Sequence, residues 1–117
     1  MCSLTLLSSQ EAGGLKLAEA VPSVGQGIVS RTVLSTPGLR AVLFSFATGQ
    51  ELTEHTSGSR ALIQVLSGSC EFFVEGKPRV LGAGELLHLP PRMPHALKAR
   101  EPMIMLLILA PEPEKPS

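Results

Sequence analysis

Two stretches of this chain are apolar on both faces at strand length. Residues 103–109 (MIMLLIL) contain no polar side chain, and in residues 61–66 (ALIQVL) only Gln64 interrupts the run. Alternate side chains of an extended strand point to opposite faces, so Ala61, Ile63 and Val65 share one face and Leu62, Gln64 and Leu66 the other. An antiparallel sheet ordinarily keeps one face wet. Strands that are apolar both ways therefore need cover on both sides of their sheet. A chain of 117 residues has room for one core and not two. The outer cover is then either the N-terminal segment folded across the sheet or a second copy of the protein. The second copy is the expectation, which makes the protein a homodimer.

The other segments read as short strands at close spacing. They are residues 28–34 (IVSRTVL), 39–47 (LRAVLFSFA), 70–75 (CEFFVE), 78–81, 85–89 (ELLHL) and 95–99. Breaks fall at Gly, Pro and Ser, as in an all-β sandwich or barrel. Glu75-Gly76-Lys77 reads as a tight hairpin, with Pro78 opening the next strand. Residues 15–20 (LKLAEA) allow one helical turn before Pro22. The expected organisation is a partly extended N-terminal segment (1–27), one barrel domain (28–110) and a solvated, disordered tail (111–117).

Composition excludes several function classes. The formal net charge is zero, so no broad basic footprint for nucleic acid is expected. All ten acidic residues are Glu, and Asp, Asn, Tyr and Trp are absent. That removes an EF-hand, an N-glycosylation site and any triad built on Asp or Asn. The N-terminus lacks the charged and apolar regions of a signal peptide, and the run at 103–110 is far short of a membrane span. Two cysteines, Cys2 and Cys70, without a CxxC motif give no disulfide framework. The expectation is a soluble cytoplasmic protein without membrane or nucleic-acid partners.

Two spaced motifs carry a resemblance. One runs Gly49, x5, His55, x, Ser57, x3, Ala61, x6, Gly68; the other runs Gly84, x5, Pro90, x, Arg92, x2, His95, x3, Ala99. These resemble the two motifs of the cupin superfamily, and the chain looks like a small stand-alone, cupin 2-like conserved barrel of unassigned function. The resemblance covers residues 28–109 and implies a double-stranded β-helix, or jelly roll, with a cavity between its sheets. It also implies a metal site of His-x-His, Glu and His. Two histidines at i and i+2 on a strand share a face, and a third from another strand closes a site suited to iron, manganese, zinc or nickel.

Carried over residue by residue, His55 and His95 stand at the first and last ligand positions. Ser57 replaces the second histidine and Ala61 the glutamate, while Arg92 replaces the second-motif glycine. His55, Ser57, Ile63 and His95 are the expected cavity residues. His88, on the strand before His95, would complete a three-histidine metal site with His55 and His95 if a bulge at Pro90-Pro91 turned it inward. Glu51 and Glu54 are candidate acceptors for the His55 ring, and Arg60 and Arg92 candidate anion binders at the cavity mouth. The first functional reading is a barrel that binds a small molecule beside a degenerate metal site, with the two histidines as orienting donors. The alternative is a metal-dependent dioxygenase or isomerase using His55, His88 and His95. A third is metal-free acid–base catalysis by His95 or His55.

Overall fold

A computed structural model describes residues 5–112 of the chain. Among them are nine strands: β1 (Ile28–Thr36), β2 (Leu39–Phe46), β3 (Glu51–His55), β4 (Ser59–Ser67), β5 (Ser69–Val74), β6 (Lys77–Gly82), β7 (Leu86–Leu89), β8 (His95–Ala99) and β9 (Met103–Pro111). They form two antiparallel sheets, ordered β1-β2-β9-β4-β7 and β3-β8-β5-β6. This is the expected all-β jelly roll. The helical turn is a short 3-10 turn at Leu17–Glu19.

Sequence patterning places the strands of the core. On β4 the buried positions are Ala61, Ile63 and Val65, as alternation requires. On β9, Met103 and Met105 are fully buried, and Leu107 and Leu109 continue the same face toward the interior. These residues meet Phe72 of β5 and Leu97 of β8 from the other sheet, and together they make the inter-sheet core. Cys70 lies within it with no exposure, and burial pushes its thiol up to about 11. It is an inert core residue. The strand that patterning does not find is β3. Its sequence ELTEH has a single apolar residue, Leu52, and its other four residues are exposed, so no alternation marks it.

The outer face of the five-stranded sheet is covered in part by the chain itself. The N–H groups of Leu6 and Leu7 donate to the carbonyls of Thr32 (3.0 Å) and Val33 (2.8 Å), which fastens the N-terminal segment to β1. Leu6, Leu7, Leu15, Leu17, Ala20 and Val21 then pack with Leu43, Leu66, Ile104, Leu106 and Ile108 in a second apolar cluster. That cover stops short of the β4–β7 side. Leu62 keeps 37% of its surface exposed and Leu86 62%.

At the other terminus β9 extends through Pro111, and the Glu112 N–H donates to the Gly58 carbonyl at 3.2 Å. Pro111 and Glu112, expected in the tail, therefore belong to the folded barrel. Residues 113–117 of that tail and residues 1–4 of the N-terminal segment, with Cys2, lie outside the described residues.

Of the five described glycines with positive φ, Gly76 and Gly68 each sit in a tight connection between strands. Glu75 and Gly76 form the two-residue β5–β6 turn with φ of 51° and 78°, the positive pair of a type I′ hairpin. Gly68 separates β4 from β5 with φ 77°, and a Cβ there would lie 2.1 Å from the Pro102 carbonyl oxygen and 2.9 Å from Met103 Cα. Backbone strain and steric overlap combine at this site. Gly68→Ala is expected to lower unfolding free energy by about 3 kcal/mol in urea denaturation. Gly58→Ala, where an added Cβ meets nothing within 4 Å, should change it by less than about 0.5 kcal/mol.

Candidate ligand cavity

The pairing of β3 with β8 sets His55 directly opposite His95. Opposed residues of an antiparallel pair project to the same face with Cβ atoms about 5 Å apart. The rings accordingly sit 4.2 Å apart between centroids, tilted by 60°. A register shift between Leu52 and His55 brings His55 into this position. The His95 ring also stacks on Phe72 at 6.1 Å and 8°.

Hydrogen bonding fixes the chemistry of both rings. His55 Nδ1 lies 2.9 Å from the Thr53 carbonyl, and His95 Nδ1 lies 2.8 Å from the Met93 carbonyl. A carbonyl oxygen only accepts, so each Nδ1 carries the proton. Each neutral ring then presents a bare Nε2 lone pair on its opposite edge. The expected orienting donors are therefore acceptors in their neutral form. Burial, chiefly, and the neighbouring His55 hold the His95 pKa below its ordinary value, against the opposing effect of its bond to Met93.

The two rings stand where two parts of a cavity meet. The smaller part, about 40 Å³, is lined by Leu52, Ile63, Phe72, Leu97, Met105 and Leu107 among others. The larger part, about 250 Å³, is lined by Ser57, Ser59, Ala61, Leu89, Met93 and Leu109 among others, and both parts share His55, His95 and Leu107. The four expected residues, His55, Ser57, Ile63 and His95, all line this space. No residue lining it carries a carboxylate. Met93 and Leu107 were not expected there. Leu107 alone carried a signal, the inward alternation of β9 from Met103.

His88 is not brought to the site. It pairs with Leu62 across β4–β7, on the face opposite Leu87 and Leu89, and it is exposed. Its Nε2 lies 2.9 Å from Nη1 of Arg60 on that outer face. The bulge that would have turned it inward is absent from the β4–β7 register. Arg60 faces outward too and pairs with the Glu112 carboxylate. Glu51 and Glu54 are exposed, and backbone carbonyls take the ring protons in their place. Arg92 takes the left-handed conformation with φ 63°, which explains why a glycine suits that motif position. Its N–H donates to the Ser57 carbonyl at 2.7 Å and its side chain reaches the Glu112 carbonyl, so it ties the mouth together.

This donor set does not fit a resident divalent metal. Two neutral imidazoles face the cavity, the carboxylate position holds the Ala61 methyl group, and the Ser57 hydroxyl oxygen accepts the Ser59 N–H at 3.1 Å. Among the described residues no group of three His, Cys or Glu side chains comes together to hold an ion. Two neutral ligands without a carboxylate give weak affinity.

The family model described as "Cupin domain" matches residues 42–109, more than half of the chain. A conserved protein of unknown function from Streptococcus pyogenes is similar at 28% identity and a TM-score of 0.82, over 97% of this chain and 98% of that one. A cupin 2 conserved barrel domain protein from Leptotrichia buccalis shares 38% identity at a TM-score of 0.79, over 82% of this chain and 47% of that one. An RmlC-like cupin protein from Desulfovibrio desulfuricans shares 31% identity at 0.77, over 86% and 98%. No curated protein matches the sequence. Among the described residues no helix is long and apolar enough to cross a membrane.

The His95 environment has a measurable consequence. The unfolded chain binds its His95 proton near pH ~6.5, whereas the folded chain binds it at lower pH. Between those values the unfolded state holds more protons, so the contribution to stability is complete above pH ~6.5 and is lost as pH falls toward the folded pKa. Proton NMR titration should place His95 below the ordinary imidazole value, and His55→Ala should move it upward. His95→Gln should flatten the loss of stability in this range.

Proposed function

The chain belongs to the cupin-domain family, and on that premise we propose that it binds a small, largely apolar molecule in the barrel cavity without a resident metal. One observation carries this reading: two imidazoles with free Nε2 atoms stand over an apolar chamber that no carboxylate enters. The ligand's apolar body packs against Ile63, Phe72 and Leu107, and its polar group meets His55 and His95 at the junction of the two chambers. Burial of the body supplies affinity at roughly 25 cal/mol per Å² of apolar surface, and the ring nitrogens fix orientation. The volume suits a compact ligand, since pockets for drug-sized molecules run from about 300 to 1,000 Å³.

The reading extends to assembly. The part of the outer face beyond the N-terminal segment, with Leu62 and Leu86, packs against a second copy and completes the cover that β4 and β9 require.

Elemental analysis of the untagged protein after reconstitution with Fe(II), Mn(II), Zn(II) or Ni(II) should find well under one metal per chain. One equivalent that disappears in His55→Ala would overturn the metal-free reading. Native mass spectrometry should detect a retained small molecule that Ala61→Phe, which fills the larger chamber, removes with the β-sheet circular dichroism unchanged. Light scattering should give twice the chain mass, and Leu86→Glu should return it to one.

A further inference from the structure

We propose that the molecule bound between His55 and His95 is neutral and offers a hydrogen-bond donor, a hydroxyl or ring N–H, to the two imidazoles. This rests on the ligand-binding reading above and names the class of ligand that fits. The Thr53 and Met93 carbonyls hold the Nδ1 protons, so both rings turn the same polarity to the cavity: two bare acceptors, on rings 4.2 Å apart. An acceptor on the ligand would face lone pairs without a proton between them. A donor fills the gap and satisfies one ring or is shared by both.

Charge argues the same way. An anion needs a cation or several donors to replace its water, and burying it without them is costly. The cations nearest the cavity mouth are engaged elsewhere. Arg60 is held by Glu112 and contacts His88 on the outer face, and Arg92 reaches the Glu112 carbonyl. On the sheet that carries the histidines, Glu51 of β3 and Glu71 of β5 both stand opposite Lys98 of β8, on its other side, while Lys77 and Arg79 of the edge strand β6 stand opposite Val74 and Phe72 on the histidines' side and are exposed at the sheet's edge. Glu54 beside His55 is exposed, and Glu75 sits in the β5–β6 turn. None of them lines the cavity.

The pH dependence separates the two ligand classes. Protonation converts Nε2 from acceptor to donor. Affinity for a neutral donor therefore falls as pH drops through the imidazole range, whereas affinity for an anion rises.

Phenol, toluene and benzoate are matched probes for the full chain, read by calorimetry or by histidine NMR shifts at pH 8 and pH 5.5. Phenol should bind about tenfold tighter than toluene at pH 8, the worth of one hydrogen bond. That preference should shrink at pH 5.5 and in His55→Gln and His95→Gln, and benzoate should not bind at pH 8. Equal binding of toluene and phenol would overturn the donor requirement and leave the apolar cavity reading standing. Tighter binding of benzoate at pH 8 would overturn it by showing an anion site. Failure of all three probes would overturn both this inference and the ligand-binding reading. The wild-type comparison needs no variant, so a substitution that fails to fold leaves the test intact.

Discussion

The structure depends on one strand that is apolar on both faces. β9 sits between β2 and β4, and all three lie in the middle of the larger sheet. Its inner side chains, Met103, Met105, Leu107 and Leu109, need a second sheet opposite them, and β5 and β8 supply it through Phe72 and Leu97. Its outer side chains, Ile104, Leu106 and Ile108, need a cover too, and the N-terminal segment supplies much of it. The barrel and its strap are answers to a single demand, that such a strand cannot face water on either side.

The cavity follows from the same packing. The larger chamber lies between the sheets where Ser57, Pro90 and Leu109 line it, and apart from the two imidazoles no aromatic side chain enters it. With Ala61 at the wall in place of a longer residue, the space stays open. The histidines at its waist come from the smaller sheet and are held rigid by backbone, because each ring donates to a carbonyl two residues earlier on its own chain. Fixing the ring in this way also fixes its tautomer, so the polarity of the cavity is set by main-chain geometry and not by neighbouring acids.

How far the sequence could be read differs from element to element. β4 and β9 were legible because their alternation and their lack of polar residues leave few alternatives. The spacing from Gly49 to Gly68 and from Gly84 to His95 made the fold and two of its cavity histidines legible as well. β3 was not, because ELTEH offers one apolar residue, Leu52, and its place in the sheet is decided by pairing with β8 across a register shift. His88 was misplaced because a tract with Pro90-Pro91 permits a bulge that the β4–β7 register does not contain. Pro111 and Glu112 looked like solvated tail in composition, and the strand runs through Pro111 because its neighbour β4 begins at Ser59 and pairs with it there.

The sequence by itself determined the class of fold, the inward faces of its apolar strands, and that His55 and His95 belong to one cavity, since period-two patterning and motif spacing are local properties of the chain. Only the tertiary structure decided what those histidines present. Their separation comes from a cross-strand register between segments about forty residues apart, and their tautomers from carbonyls that no sequence motif marks. It also decided that Arg60 and His88 lie on the outer face and that the N-terminal segment covers β1, β2 and β9. Those outcomes rest on which strand pairs with which. Pairing is selected by burial of the whole sheet and not by the residues of any one strand.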